Sequence, residues 1–190
     1  MTPKQLAFKA AVENIIKKLA LRNMEGYFFE DCNSCVKEII QMMENGSSVG
    51  WGGSESIKEC GLMDAVRSGN FTLLDRLTAK SPAEDRELYA KTVLSDYYLM
   101  STNAITLDGE LINIDGNGNR IACLIHGPKH VILVVGMNKL VPDIESGYAR
   151  VRNLAAPANA KRLNKHTPCF NMGRCADCLS EDCMCSHTVI

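Results

Sequence analysis

The amino-acid sequence predicts an α/β fold with a mostly parallel sheet that helices cover on both faces. Segments of helical periodicity alternate with short apolar segments along the chain, which is typical of a parallel sheet with crossover helices. Val131–Gly136 is an unbroken apolar run, as expected of a strand that is buried on both faces. Asp108–Gly109 is a favoured hairpin turn, so we also expect one antiparallel pair of strands.

The predicted elements follow from local signals. Pro3, Asp31, Ser56 and Ser81 mark helix starts, and Ser56 with Glu59 and Ser81 with Glu84 have the spacing of a capping box. We expect strands at Ser47–Gly50, Phe71–Leu74, Tyr97–Met100, Ala104–Leu107, Glu110–Ile114 and Val131–Gly136. A short helix is expected around Arg120–Ile125, and a long one from Pro142 to Asn164 that is interrupted at Pro157. His187–Ile190 resembles the opening of a further strand, so we expect the fold to extend somewhat further.

Composition limits the classes of function. The 190 residues are 46% hydrophobic and 23% charged with a formal net charge of −1, which is ordinary for a globular protein. The chain has no long basic run, which argues against a nucleic-acid partner. No apolar stretch approaches the roughly 20 residues that span a bilayer. We therefore expect a cytoplasmic protein, and a homo-oligomer is compatible with the sequence. We expect one domain with three segments: an N-terminal helical segment (1–46), an α/β core (47–165) and a cysteine-rich metal-binding segment (166–190).

A glycine-rich segment lies between a predicted strand and a predicted helix. Gly50, Gly52, Gly53 and Ser54 could approach an anion closely through their backbone N–H groups. The segment matches neither a Walker A loop nor the dinucleotide-binding G-x-G-x-x-G pattern. The alternative is a tight turn in which a serine only caps the following helix.

Polar residues crowd the ends of the predicted hairpin strands. The candidate ligand-binding residues here are Asn103, Asp108, Asn113, Asp115, Gly116 and Asn117. In open α/β sheets, ligands bind at the carboxyl ends of strands, which favours a site for a small anionic ligand. The alternative is that these residues only form the hairpin and the turn after it.

Five of the nine cysteines fall within the last part of the chain. Cys175 and Cys178 have the spacing of a metal-binding knuckle, and Cys169 with either Cys183 or Cys185 would complete a four-thiolate site. We expect the segment to form neither a packed helix nor a packed strand. Soft thiolates suit zinc and an iron–sulfur cluster alike. The alternative is a disordered tail with reactive thiols.

The remaining cysteines fit a structural role better. Cys60 and Cys123 stand alone among apolar or helical residues and are interpreted as core. Cys32 and Cys35 lie at a predicted helix start, where the helix dipole would lower the pKa of a thiol. A redox pair and a pair of core residues are the two interpretations of this spacing.

Four motifs carry a resemblance to a known family: Ser101–Thr106, Asp108–Leu111, Gly116–Arg120 and Ala155–Arg162. Together with Gly50–Ser54 and the stretch Arg150–Asn159, they make the sequence similar to the LUD (lactate utilisation) domain family. That family belongs to the superfamily that includes ribose-phosphate isomerases and CoA transferases. The resemblance covers most of the chain.

The resemblance implies a fold, a site and partners. It implies the fold of that superfamily, a small anionic ligand and Cys185 as the fourth metal ligand. It also implies an accessory or electron-transfer-linked component of lactate (2-hydroxy acid) oxidation, with iron–sulfur and flavin oxidoreductase subunits as partners. The alternatives are an enzyme or sensor acting on a phosphorylated or CoA-linked small molecule, and a scaffold with a structural metal. Related isomerases carry an aspartate where this chain has Asn103, and an amide cannot accept a proton as a carboxylate does.

Overall fold

The computed structural model describes residues 2–190, and contacts within the chain divide it into two compact units. The hairpin unit comprises the chain up to Phe28, Thr102–Asn119 and Gly136–Ile190. The parallel-sheet unit comprises Phe29–Ser101 and Arg120–Val135. The three segments expected from the sequence stay a prediction.

Helices and strands alternate through most of the chain. The helices are α1 Pro3–Ala20, α2 Cys32–Met42, α3 Glu55–Glu59, α4 Leu62–Ser68, α5 Pro82–Val93, α6 Asn119–Ile125, α7 Ile144–Arg150, α8 Ala156–Arg162 and α9 Pro168–Met172. The strands are β1 Ser48–Trp51, β2 Thr72–Leu74, β3 Tyr97–Met100, β4 Ala104–Thr106, β5 Leu111–Asp115, β6 His130–Leu133, β7 Leu140–Val141 and β8 His187–Val189. Short 3-10 turns occupy Arg76–Thr78 and Met137–Lys139.

The parallel-sheet unit confirms the predicted fold class. Its four strands pair in the order β2-β1-β3-β6, and every pair is parallel. Side chains alternate across a strand, so Tyr97 and Leu99 pack with α2 and α4 on one face of the sheet. Tyr98 and Met100 pack on the other face with residues of α5 and α6. Helices therefore cover both faces.

One strand differs from its prediction. β6 lies at the edge of this sheet and is half-buried, with His130 exposed, and is not buried on both faces as its apolar run suggested. An edge strand has a partner strand on one side only, so an apolar sequence alone does not place it in the middle of a sheet.

The hairpin unit contains the second sheet, with strands in the order β7-β4-β5-β8. β4 and β5 are antiparallel, and Gly109 adopts a φ of +80° in the turn between them, as the predicted hairpin requires. β8 pairs antiparallel with β5, which confirms the strand predicted at His187. The core of the unit is formed by Ala104, Ile112, Val141 and Val151.

Two details of the helices correct the sequence interpretation. Ser56 lies inside α3 and is not its cap, because the N-cap position belongs to Ser54. The long helix is not broken at Pro157. It passes from α7 through a π-helical segment, Val151–Ala155, into α8, and Pro157 lies in the first turn of α8. The N–H of Ala156 bonds to the carbonyl of Val151, five positions earlier instead of the four of an α-helix. The helix therefore accommodates one extra residue in the turn just before Pro157.

Within residues 2–190, no helix combines the length and apolarity needed to cross a bilayer.

Candidate metal centre and ligand-binding residues

Cys169 lies on a short helix of its own. Thr167 and Pro168 begin α9, and Gly173 ends it with a φ of +68°. The Cys169 side chain is buried, and its Sγ lies 3.1 Å from the hydroxyl oxygen of Thr167. The expectation that the cysteine segment forms no packed helix is therefore wrong at its first cysteine.

Cys175 begins a tight turn of the kind found in metal-binding knuckles. The N–H of Asp177 donates a hydrogen bond of 3.3 Å to the Sγ of Cys175. Asp177 is one of three described non-glycine residues with a positive φ, at +52°, which turns the chain back towards Cys178. Cysteine binds metal as the thiolate.

The surroundings of Cys178 favour its thiolate form over the thiol. The hydroxyl of Ser180 lies 3.6 Å from the Cys178 Sγ, and this contact is the largest cause that lowers the pKa of the Cys178 thiol. Cys183 differs, because its Sγ donates to the carbonyl oxygen of Cys178 at 3.6 Å. The Cys183 thiol thus serves the turn, which supports Cys185 as the cysteine that joins the group.

The other four thiols of the segment act electrostatically on Cys185. Desolvation raises the pKa of its thiol to about 11, followed in size by the thiols of Cys183, Cys175, Cys169 and Cys178. Each of these four thiols therefore interacts electrostatically with the thiol of Cys185. Within residues 2–190, no three His, Cys, Asp or Glu side chains already stand at the spacing of a metal site. Four thiolates are a donor set that fits a soft metal.

Arg152 connects this turn to the long helix. Its guanidinium bonds to Asp177 at 2.6 Å, and the pKa of Arg152 is raised mainly by its hydrogen bond to Cys175. An open pocket of about 370 Å³ lies beside these residues, and its lining consists of Glu145, Tyr148, Ala149, Arg152, Asn153 and Cys175. One thiol of the cysteine group therefore faces a pocket that a small molecule can enter.

Asn103 lies at the centre of the polar residues of the hairpin unit. Its N–H donates to the carbonyl of Ile112 at 3.1 Å, and its side-chain oxygen accepts from the N–H of Ile114 at 2.9 Å. Its own carbonyl accepts a 2.5 Å hydrogen bond from the guanidinium of Arg150. Asn103 is thus fixed on three sides at the open end of the hairpin.

Four other candidate residues lie near the end of β5. Asp115 accepts from the N–H groups of Asn117 and Gly118 at 3.1 and 2.9 Å, which forms the turn before α6. Asn113 is fully buried, and its amide donates to the carbonyl of Leu111. Gly116 packs against the backbone of Met184, where a Cβ would come within 3.1 Å. The structure brings Asp115, Gly116 and Asn117 together in a single turn.

Asp108 lies at the opposite end of the hairpin from Asn103 and Asp115. Its carboxylate pairs with Lys18 at 3.3 Å, and its carbonyl accepts from Arg22 at 2.9 Å. These contacts attach the hairpin turn to α1.

The glycine-rich segment lies at the carboxyl end of β1 in the parallel-sheet unit. The N–H of Gly52 donates to the carbonyl of Leu99 at 3.0 Å. A Cβ on Gly52 would come within 2.9 Å of the Tyr98 hydroxyl and 3.3 Å of the Arg120 side chain, so only glycine fits. The Oγ of Ser54 is the one buried side-chain oxygen or nitrogen in residues 2–190 that has no hydrogen-bond partner.

Sequence reasoning missed three cations beside these residues. Arg120 bonds to the carbonyl of Ser101 at 3.2 Å and Lys139 to that of Thr102 at 3.0 Å, and Arg150 contacts Asn103. Arg120 and Arg150 belong to stretches that carry the family resemblance, Gly116–Arg120 and Arg150–Asn159. The positive charges of Arg120 and Arg150 inside those stretches could have indicated from the sequence that cations lie beside the candidate residues.

Comparison with known families places the chain. The model of the LUD domain matches residues 12–190, which is nearly the whole chain. No curated protein and no solved structure matches at a significant level. The matched range includes the hairpin, the glycine-rich segment and all nine cysteines. The chain therefore belongs to the LUD domain family.

Proposed function

We propose that this LUD-domain protein holds one metal centre on Cys169, Cys175, Cys178 and Cys185 and serves lactate (2-hydroxy acid) oxidation. In this role it is an accessory or electron-transfer-linked component in the cytoplasm, with iron–sulfur and flavin oxidoreductase subunits as partners. The observation that carries the proposal is the electrostatic interaction of the other four thiols of the segment with Cys185, beside a turn at Asp177 that aims a backbone N–H at the Cys175 sulfur. Thiolates gathered in this way repel one another, and a bound cation removes that repulsion.

The residues of the segment have separate parts in this centre. Cys169 is held by α9, and Cys175 and Cys178 are held by the turn at Asp177. Cys185 lies just before β8, so the pairing of β8 with β5 holds the fourth ligand. An iron–sulfur cluster would supply one-electron transfer here, whereas zinc would only fasten the segment.

Metal analysis tests the proposal. The protein is purified without oxygen and without chelators, and its iron, acid-labile sulfide and zinc are measured. Iron and sulfide in stoichiometric amounts, with absorbance near roughly 400 nm, support the electron-transfer role. One zinc per chain supports the site and contradicts electron transfer, and substoichiometric amounts of every metal contradict the centre.

A second function is favoured by a different observation. Ser54 Oγ is buried without a partner, and it lies two residues after Gly52, which is beside Tyr98 and Arg120. An unsatisfied buried hydroxyl is costly and is often retained for a ligand. We propose as the alternative an enzyme or sensor, with the fold of the ribose-phosphate isomerase and CoA-transferase-like superfamily, that binds a phosphorylated or CoA-linked small molecule.

Calorimetric titration with ribose 5-phosphate and with acetyl-CoA tests this alternative. The Ser54→Ala variant is compared with Ser56→Ala, which removes a hydroxyl inside α3 two residues further on. Binding that Ser54→Ala weakens and Ser56→Ala leaves unchanged supports the alternative. The absence of binding of both probes to the unaltered protein contradicts it.

A further inference from the structure

Arg150 is a half-buried cation whose partners are all uncharged. Its Nε donates to the carbonyl of Asn138 at 3.0 Å and its Nη1 to the carbonyl of Asn103 at 2.5 Å. Within residues 2–190 it has no carboxylate partner, and burial lowers its pKa with no acidic group acting against that effect.

Two other arginines of the hairpin unit, unlike Arg150, have a carboxylate partner. Arg22 pairs with Glu110 at 3.5 Å, and Arg152 pairs with Asp177 at 2.6 Å. A partly desolvated charge is costly unless an opposite charge is near, because carbonyl dipoles replace only part of its hydration. Arg150 is therefore suited to an anion that the chain itself does not provide.

The guanidinium has donors left for such an anion. It carries five N–H groups, and its two hydrogen bonds use one on Nε and one on Nη1. The second N–H of Nη1 and both N–H groups of Nη2 have no acceptor within residues 2–190, and Nη1 and Nη2 together form one end of the fork. Two parallel N–H groups at this end match the two oxygens of a carboxylate.

Its two carbonyl partners also fix the position of Arg150. One belongs to Asn103, whose side chain is fastened to β5 through Ile114. The other belongs to Asn138, and the next residue, Lys139, reaches back to the carbonyl of Thr102 at 3.0 Å. A rigid fork therefore lies at the open end of the hairpin, with a second positive charge attached to the same Thr102–Asn103 segment.

We infer that Arg150 binds the carboxylate of a small monocarboxylic acid, and that this residue supplies the recognition of the anionic ligand in the hairpin unit. The planar fork of Arg150 matches the two oxygens of a carboxylate, whereas the tetrahedrally arranged oxygens of phosphate need donors from several directions, and the Lys139 ammonium donates to the carbonyl of Thr102. The inference rests on the proposed function only in its choice of a 2-hydroxy acid as the probe.

Calorimetric titration of the full chain with L-lactate tests the inference. Lactamide has nearly the same shape without the charge, and inorganic phosphate represents the other common oxyanion. Arg150→Gln removes the charge, and Arg150→Lys keeps the charge but loses the fork. Arg22→Gln is the matched control, because Arg22 also donates to a backbone carbonyl, that of Asp108, but has Glu110 as its counter-ion.

We expect the unaltered protein and Arg22→Gln to bind lactate equally and to bind neither lactamide nor phosphate at the same concentrations. Arg150→Lys should bind lactate at least about tenfold more weakly, and Arg150→Gln more weakly still, since a charge-assisted pair of hydrogen bonds is lost. Circular dichroism identifies any variant that fails to fold. If Arg150→Gln fails to fold, the lactate affinity of Arg150→Lys alone tests the inference.

Three outcomes would overturn the inference. Equal lactate binding by folded Arg150→Lys, Arg150→Gln and the unaltered protein would remove Arg150 from recognition and leave the proposed function intact. Binding of phosphate in place of lactate would exclude a carboxylate ligand. Failure of lactate to bind the unaltered protein would also overturn the inference, whereas the metal content judges the proposed centre independently.

Discussion

The backbone N–H of Cys175 donates a 2.9 Å hydrogen bond to the carbonyl oxygen of Arg152. Arg152 lies in the π-helical segment, where the hydrogen bonds that normally join residues four apart are rearranged. This carbonyl of the long helix therefore accepts a hydrogen bond from the backbone of the turn that contains Cys175 and Cys178. The long helix thus positions the first cysteine of the knuckle.

Replacement of single cysteines should separate the metal ligands from the other cysteines. Serine at any one of Cys169, Cys175, Cys178 and Cys185 should release the metal, because three thiolates hold a soft metal far more weakly than four. Metal content by plasma emission spectroscopy is the measurement. The segment after Thr167 should lose order at the same time, while the parallel sheet persists.

The other cysteines provide the controls. Cys32→Ala, Cys60→Ala and Cys123→Ala should leave the metal content unchanged. Cys183→Ser is the most informative of the set, because Cys183 donates to a carbonyl and should be dispensable. Loss of metal from Cys183→Ser with retention in Cys185→Ser would reverse the choice between the two residues.

Arg152→Gln should weaken metal binding without removing a ligand. The guanidinium contacts Cys175 and Asp177, so it offsets negative charge in the thiolate group and holds the turn. Groups of this kind next to a metal ligand typically change metal affinity by about 10–100-fold. Competition with a zinc chelator measures the change. Arg174→Gln, an exposed arginine beside Cys175, is the matched control, and an equal loss in both variants would refute a specific role for Arg152.

Asp96 should make stability depend on acid pH. Its carboxylate accepts from Lys129 at 2.6 Å and from the N–H and hydroxyl of Ser48 at 2.9 and 2.7 Å. Lys129, followed by Ser48, holds the pKa of Asp96 well below its usual range. A lowered pKa in the folded state gives stability that is present above the unfolded pKa of about 4 and is lost as the pH falls further.

Urea unfolding measures this effect. Asp96→Asn should lower the urea midpoint at neutral pH, and its difference from the unaltered protein should shrink as the pH falls below about 4. Asp64→Asn is the control, because Asp64 is largely exposed and lies 3.9 Å from its nearest cation, Arg67. A difference between Asp96→Asn and the unaltered protein that stays constant down to the lowest pH would contradict the prediction.

Gly147→Ala should destabilise the hairpin unit although alanine favours helices. A Cβ on Gly147 in α7 would overlap the Cδ1 of Ile112, which is fully buried in the core of this unit. Overpacking typically costs about 1–3 kcal/mol, which exceeds the gain in helix propensity of about 1 kcal/mol. Ile112→Val removes the overlapping methyl, so in a double-mutant cycle by thermal unfolding it should recover part of the loss. A rise in stability from Gly147→Ala alone would be inconsistent with this packing.

The sequence predicted the elements that local signals determine. Thr2 and Gln5 form a capping box ahead of α1, Asp31 caps α2, and Gly109 turns the hairpin, and each depends on residues within a few positions. The edge position of β6 and the π-helical segment before Pro157 depend on which strands pair and on how the helix packs. The hydrophobic periodicity of the sequence carries no information about which strands pair or how a helix packs.

The candidate sites divide in the same way. The spacing of Cys175 and Cys178 and the crowding of Asn103 and Asp115 are visible in the sequence. Arg150 was missed because its contact with Asn103 joins residues 47 positions apart. Cys35 illustrates the reverse case: a helix start predicts a lowered thiol pKa, but burial in the core raises the pKa of Cys35 to about 11. Desolvation outweighs the helix dipole there, so a core role fits Cys35 better than a redox role.

The most direct test of the thiol metal centre is X-ray absorption spectroscopy at the edge of whichever metal co-purifies with the protein. We predict four sulfur neighbours per metal atom at about 2.3 Å. In Cys185→Ser, wherever that variant retains metal, one sulfur should be replaced by oxygen: a single zinc would then have three sulfurs and one oxygen, and in a cluster only the iron that residue 185 binds would change. A shell of nitrogen and oxygen neighbours around the metal, or an unchanged sulfur shell in Cys185→Ser, would contradict the account.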